Sequence, residues 1–342
     1  MNKVLEKVLI KKIDKKNILS FQNLVKNYWP KQKHIFRKNK KLINFYYNYH
    51  NDKKTNLIGL YKNNKLNAAI GLIPNKNWDK NLNNDYFIAF LLKSNFTSDS
   101  TFYFLNYIYN KIKPKFLAVS GINLNTAGKI FERLGKVQLF SHYYIRNPIL
   151  KERISKNLFY SNKQIKLNQF NELKLTVASK ISQLPKSNHY PIKSKKFYDK
   201  KYLNNLYYKY FVMNFHSKLK LDFFFICRKI KIKKHNAEVL RIIDFHGTIP
   251  KKGHLLNAVT KYLIENNIEY IDILCHGFRN HILENIGFLK KTIKQKIPNH
   301  FEPYTGKDAK LNFCILINKY KKNIILLKGD GDQDRPKLIK TH

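Results

Sequence analysis

The sequence predicts an α/β protein built from two like halves. Three observations carry this. First, residues 239–288 read as strand, basic turn, helix, strand and short helix in succession. Second, the N-terminal half shows the same order of elements. Third, the halves align at one offset. Ile130, Phe131, Glu132, Leu134 and Gly135 fall opposite Ile282, Leu283, Glu284, Ile286 and Gly287, each pair 152 residues apart (287 − 135 = 152). A strand–helix–strand crossover as short as the one in residues 239–276 favours parallel pairing of its strands.

In chain order, Val8–Ile13 predicts a strand. A helix over Ile18–Tyr28 places Ile18, Phe21, Leu24, Val25 and Tyr28 on one face and stops before Pro30. A second helix is predicted over His34–Tyr49. Asn56–Tyr61 and Leu66–Ile73 flank the turn Lys62-Asn63-Asn64-Lys65 and predict a hairpin. Asp85–Leu92 is a strand, Thr101–Ile112 a helix closed by Pro114, and Phe116–Ile122 a strand. Asn125 caps a short helix ending at Gly135, and Val137–Ile145 is the last strand of this half.

The second half is predicted to open with a strand at Gln164–Phe170. A helix over Asn171–Leu184 follows, then a proline-containing loop and a helix over Phe197–Phe215. Asp222–Ile232 and Ala237–Phe245 form the hairpin. Val239–Gly247 leads into the turn Thr248–Gly253. Leu255, Leu256, Val259, Tyr262 and Leu263 then share a helical face. Tyr270–His276 is a buried strand, and Gly287 stops the helix after it. Phe313–Asn318 and Ile324–Leu327 are the last strands.

The chain has 342 residues, enough for two domains, and 43% hydrophobic and 14% aromatic residues, enough for packed cores. No apolar run reaches the length of a membrane span, and the N-terminus lacks the apolar stretch of a secretory signal. The three cysteines, Cys227, Cys275 and Cys314, lie apart in apolar runs with no metal-ligand spacing. Reduced, buried thiols, no bound metal and a cytoplasmic setting are expected. Lys and Arg number 66 against 22 Asp and Glu, a formal charge of +44. Two explanations stand: an anionic partner, either nucleic acid or a membrane surface, or the codon bias that also enriches Asn, Ile, Tyr and Phe. The dispersed lysines and scarce arginines favour the second, since base readers rely on Arg.

The stretch from Val239 to Phe288 resembles the core of the GNAT superfamily of acyl-CoA-dependent N-acyltransferases. The resemblance implies two tandem GNAT-like domains, at residues 1–148 and 160–327, with a tail over 328–342. Each would be a mixed, mostly antiparallel sheet with a splayed parallel strand pair and flanking helices. In the family, the turn after the fourth strand holds the CoA pyrophosphate on backbone N–H groups at a helix start, a natural anion site. Gly253 matches that turn, while Pro250 stands where the family has Arg or Gln. The implied cofactor set is Ile243 and Phe245 for pantetheine, with Lys251, Lys252, Gly253, His254 and Asn280 around the pyrophosphate. Asp244, His246 and His276, at the ends of the splayed strands, are the implied catalytic groups, either histidine being able to take the amine proton. The N-terminal turn from Lys93 to Ser98 has neither Gly nor Arg, so the acyl-CoA site is expected in the C-terminal half.

The tail carries Asp330-Gly331-Asp332-Gln333-Asp334-Arg335-Pro336. It is no EF-hand loop, since Arg335 and Thr341 occupy the positions that need Gly and Glu. It is similar to a closing motif of GNAT-like proteins from surface-polysaccharide gene clusters. That implies Asp330, Asp332, Asp334 and Arg335, with Tyr304, as acceptor ligands; a solvated acidic turn is the other reading. The expected function is acyl transfer from acetyl-CoA or another acyl-CoA to an amino sugar, nucleotide-linked, in cell-surface polysaccharide assembly. The alternatives are a non-catalytic or nucleic-acid-binding protein on the same scaffold, or Fem-type aminoacyl transfer from tRNA.

Overall fold

The structure, a computed structural model, describes residues 8–29, 34–94, 99–123, 129–159, 171–279, 281–320 and 323–337. In chain order the elements are β1 (Val8–Asp14), α1 (Ile18–Tyr28), α2 (Lys40–Tyr47), β2 (Lys54–Lys62), β3 (Lys65–Pro74), β4 (Asp85–Lys93), α3 (Ser100–Tyr107), β5 (Phe116–Ser120), α4 (Lys129–Leu134), β6 (Val137–Leu139) and β7 (Ser141–Arg146). They continue with β8 (Asn171–Glu172), β9 (Lys174–Ala178), β10 (His189–Tyr190), α5 (Lys195–Tyr198), β11 (Phe211–Ser217), β12 (Lys220–Ile232) and β13 (Ala237–Gly247). The last are β14 (Gly253–His254), α6 (Leu256–Glu265), β15 (Tyr270–His276), α7 (Ile282–Asn285), β16 (Leu289–Lys290), β17 (Asn312–Asn318), β18 (Asn323–Ile324) and β19 (Leu326–Leu327).

The chain divides into two units that do not follow its halves. One comprises residues 1–138, 312–320 and 331–342; the other comprises 139–311 and 321–330. The first unit holds a sheet in the order β1-β2-β3-β4-β5-β17-β6, and the second a sheet in the order β16-β7-β15-β13-β12-β11-β9, with β19 also on β15. Read from opposite ends, the two sheets follow one plan. Four antiparallel strands lead to one parallel pair, β4–β5 or β13–β15. Beyond it lies a strand from the other half of the chain, β17 beside β5 and β7 beside β15. This is the mixed, mostly antiparallel architecture with flanking helices that the sequence predicts.

Local chemistry explains most elements. Asn63 and Asn64 take φ of 47° and 61°, the two left-handed residues that a tight hairpin turn needs and that Asn tolerates. The apolar face of α1 buries Ile18, Phe21, Leu24 and Val25. In the second unit, Leu255, Leu256, Val259 and Leu263 pack on Leu240, Ile242, Ile271 and Ile273 to form the core. The three cysteines are buried, unpaired thiols.

Three readings are corrected. Asn171–Leu184 is not a helix: β8 and β9 occupy its first part, and β9 is an edge strand with exposed residues that blur its alternation. The helix over Phe197–Phe215 is real only at its start. α5 continues as a π-turn to Leu203, and Phe211–Ser217 is a strand between β9 and β12. The single strand Val137–Ile145 breaks at Phe140 into β6 and β7, which join different sheets. The strand expected at Gln164–Phe170 and the cap Asn125 lie outside the described residues.

Candidate active site

A β-bulge shapes the site. On β13, Ile242 and Asp244 oppose consecutive residues of β12, so Ile243 is the extra residue. Parallel pairing with β15 ends there, at Ile242–Ile273. On β4 the bulge falls at Ala89, and pairing with β5 ends at Ile88–Val119. Each parallel pair thus parts at a bulge. The bulge also resets the alternation of β13. Phe245 shares the core face with Leu240 and Ile242, while Asp244 and His246 join Arg241 on the reverse face.

Past the core face opens a cavity of about 550 Å³ in the second unit. Phe245, Gly247, Thr248, Ile249 and Lys251 line it from the end of β13 and the turn after it. Phe278, Arg279, Ile282 and Asn285 line it from the turn after β15 and from α7, and His189 and Ile325 from β10 and the chain after β18. Lys251 and Arg279 are exposed, whereas Phe245 is buried, so the cavity grades from a cationic mouth to an aromatic interior. The His189 ring stacks on Phe245 with centroids 5.2 Å apart, and its Nδ1 lies 2.7 Å from Ser187 Oγ. Burial first, then Lys193 and His246, lower the His189 imidazole to about 3, so it is neutral at pH 7.

The reverse face of β13 is a closed polar cluster. Lys193 Nζ lies 2.7 Å from Asp244 Oδ1 and 2.7 Å from Asp330 Oδ1. Tyr202 donates to Asp244 Oδ2 at 2.7 Å, and Leu327 N–H to Asp330 Oδ2 at 2.8 Å. Burial alone would lower the Lys193 ammonium, but the two carboxylates outweigh it and hold it above its ordinary value. His246 Nε2 donates to the Pro185 carbonyl at 3.0 Å, and its Nδ1 lies 3.2 Å from the Tyr198 hydroxyl. Burial lowers its imidazole to about 4. Asp244 and His246 are therefore brought together, on the face away from the cavity, with their polar atoms engaged.

The gap between the parted strands holds the protein's own chain. β19 pairs with Cys275 and His276, and Gly329 N–H donates to the Ile243 carbonyl at 2.9 Å. Phe245 N–H donates to Asp244 Oδ1 at 2.8 Å, and the Phe245 carbonyl accepts from Tyr198 at 3.0 Å. The Ile243 carbonyl and the N–H and carbonyl of Phe245, expected to meet pantetheine, are thus already bonded, and Phe245 lines the cavity.

Other expected residues fall elsewhere. His276 is half-buried at the end of β15, with its imidazole lowered by burial. Lys252 is exposed beside Lys251. Gly253 and His254 form β14 against β8, and His254 Nδ1 is buried without a hydrogen-bond partner among the described residues. Asn280 lies outside the described residues. Tyr304 packs on Phe301 and His235 near the β12–β13 turn, the opposite end of β13 from the cavity. The tail is no solvated turn: Asp330, Asp332, Asp334 and Arg335 are all buried. Asp330 belongs to the second unit. The rest belongs to the first, where Arg335 pairs with Asp332, lies over the Phe36 ring at 4.4 Å and meets His34 Nε2 at 3.3 Å.

A second buried network spans β7, β13 and β15. Arg241 Nε donates to Asp272 Oδ1 at 2.9 Å, and its other nitrogens to the carbonyls of Asn299 and Pro298 at 2.9 and 3.0 Å. His142 Nε2 lies 2.7 Å from Asp272 Oδ2. Burial would raise the Asp272 carboxyl, yet Arg241 outweighs it and holds it below the ordinary carboxylate range.

Sequence reasoning missed His189, Lys193 and Arg279. The first two lie in a loop with no periodicity, although His189-Tyr190-Pro191 inside an apolar-poor stretch is a sign of a specific turn. Arg279 was legible as one of few arginines in a lysine-rich chain.

Neither protein-family models nor curated proteins show a match to this chain. Solved structures do. A GCN5-related N-acetyltransferase from Anabaena variabilis is 9% identical, with TM-score 0.47, over 90% of this chain and 72% of that one. A probable N-acyltransferase from Enterococcus faecalis is 11% identical, with TM-score 0.46, over 91% and 73%. Saccharomyces cerevisiae N-myristoyltransferase with bound myristoyl-CoA is 12% identical, with TM-score 0.43, over 99% and 86%. At these identities and scores the likeness does not extend to residues or chemistry.

Proposed function

We propose that this protein is an acyl-CoA-dependent N-acyltransferase whose acyl-CoA site is the cavity of the second unit. The observation that carries this is the cavity's place and lining. It lies at the ends of the parted parallel strands, where open sheets bind ligands. Exposed Lys251 and Arg279 suit the CoA phosphates, and Phe245, Phe278, Ile249 and Ile282 suit an acyl-pantetheine arm. The acceptor amine attacks the thioester carbonyl, a C–N bond forms, and the C–S bond breaks to release CoA thiolate. His189, neutral and stacked on Phe245, offers a ring nitrogen to orient the amine. A thiolate whose conjugate thiol has a pKa near 8.5 is a far stronger base than His189, so the amine proton ends on the departing sulfur.

For the acceptor we propose an amino sugar, nucleotide-linked, in cell-surface polysaccharide assembly. Its support is the likeness of the GDGDQDRP tail to proteins of surface-polysaccharide clusters; Asp330 and Asp332 of that tail are themselves buried in ion pairs. The shared strand plan supports descent of the two units from one duplicated, GNAT-like domain. Calorimetric titration of the whole protein with acetyl-CoA tests the cavity. Saturable binding is expected, weakened at least about tenfold by Lys251→Glu with Arg279→Glu, the cost of two charge-assisted contacts. Binding that ignores both charge reversals, or no binding at all, refutes the assignment.

A further inference from the structure

A second cavity lies in the first unit, between α1 and the β2–β3 hairpin. Its volume, about 540 Å³, falls within the roughly 300–1,000 Å³ of small-molecule sites. Its polar lining is mostly amide. Asn23 and Asn27, one helical turn apart on α1, face Asn63 and Asn64 of the hairpin turn, with Asn17 at the helix start. Among the described residues, none of these five side-chain amides has a hydrogen-bond partner. Buried Leu24 and Leu66 supply an apolar floor. Tyr61 also lines the cavity, and its hydroxyl is buried with no partner among the described residues. That hydroxyl is closed off from solvent, so a ligand in the groove meets the rest of the Tyr61 side chain and not its oxygen.

Charge narrows the ligand class. No carboxylate lines the cavity among the described residues, and Lys65 is its one cation. Each amide offers a donor and an acceptor, the pairing that a hydroxyl, itself both, satisfies twice over. Apolar floor and amide rim together suit a ring with C–H faces and hydroxyl edges.

We propose that this groove is a saccharide-binding site that takes a neutral hexose unit of a glycan. It is separate from the acyl-CoA cavity and holds whether or not that assignment does. The test is a titration of the whole protein, followed by saturation-transfer NMR, with glucose, N-acetylglucosamine and maltose, and with inorganic phosphate as the anionic probe. Saturable binding of at least one sugar in the millimolar range is expected, with none for phosphate. Asn23→Leu with Asn27→Leu, both on the exposed face of α1, should weaken it at least tenfold with unchanged circular dichroism. Tyr61→Phe, which removes an oxygen that the groove does not reach, should leave it unchanged and serves as the control. No saturable binding of any of the three sugars, sugar binding unchanged in the double Asn variant, or phosphate binding in the groove would each overturn the proposal.

Discussion

Lys193 and Asp244 form a 2.7 Å ion pair from which solvent is almost wholly excluded, with side chains 2% and 0% exposed. The ammonium also meets Asp330, so a single cation serves two carboxylates on the reverse face of β13. Removing the cation leaves both carboxylates buried and uncompensated. Lys193→Met is therefore expected to destabilise the second unit by about 3–5 kcal/mol, read as a lowered denaturation midpoint in urea. Adding Asp244→Asn and Asp330→Asn should recover much of the loss. A Lys193→Met protein as stable as the wild type would show that the pair contributes nothing.

Three buried histidines should make the protein acid-sensitive well above the carboxylate range. The imidazoles of His34, His189 and His246 are lowered to about 2, 3 and 4, by burial above all. An unfolded histidine titrates near 6.5, so below that pH the unfolded chain binds protons that the folded chain does not. Their contribution is complete above about pH 6.5 and is lost as pH falls. Each adds a slope of about 1.4 kcal/mol per pH unit until its folded value is reached. Thermal melts from pH 7 to pH 4 should show the loss. His246→Gln should flatten the slope of the second unit, and an unchanged slope would contradict the lowered value.

Asp272 gives the opposite test, because its charged form is the one the fold selects. Arg241 holds the carboxyl below its ordinary value, so the pair's stabilisation is present above about pH 4 and fades as pH falls towards the folded value. Asp272→Asn strands the fully buried Arg241 and should cost about 3–5 kcal/mol at pH 7. The gap between variant and wild type should narrow as pH drops below about 4. A gap independent of pH would mean that the carboxylate charge is not what holds Arg241.

Gly277 tests the segment that fills the parted strands. Its φ is +94°, and a Cβ there would lie 1.8 Å from the Ile324 carbonyl oxygen. Gly277→Ala cannot be relieved by a side-chain rotation, since the obstacle is backbone. The expected outcome is displacement of residues 323–327, seen as fast amide exchange at Leu326 and Leu327 and a loss of several kcal/mol. Wild-type protection at those amides would show that the turn adapts.

What the sequence made legible was what neighbouring residues decide. The asparagines of the β2–β3 turn, the apolar face of α1 and the continuous apolar run of β13 each carry a local signal, and each element formed where expected. The edge strand β9 and the strand β11 were missed because pairing with distant residues, not local preference, makes them strands. The same limit applies to the site. Asp244 and His246 were correctly placed at the end of a strand next to a break in pairing. The face they occupy was set by the bulge at Ile243, which no local pattern announces. His189 came to the cavity through a loop whose path depends on β18, over a hundred residues later.

The exchange of β7 and β17 has a consequence for how this protein is made. The first unit's sheet lacks the strand between β5 and β6 until Asn312–Asn318 has been synthesised. A ribosome that has delivered the N-terminal half therefore exposes two unpaired strand edges, an invitation to wrong partners. Premature termination anywhere before residue 318 should yield an aggregation-prone fragment rather than a small stable domain.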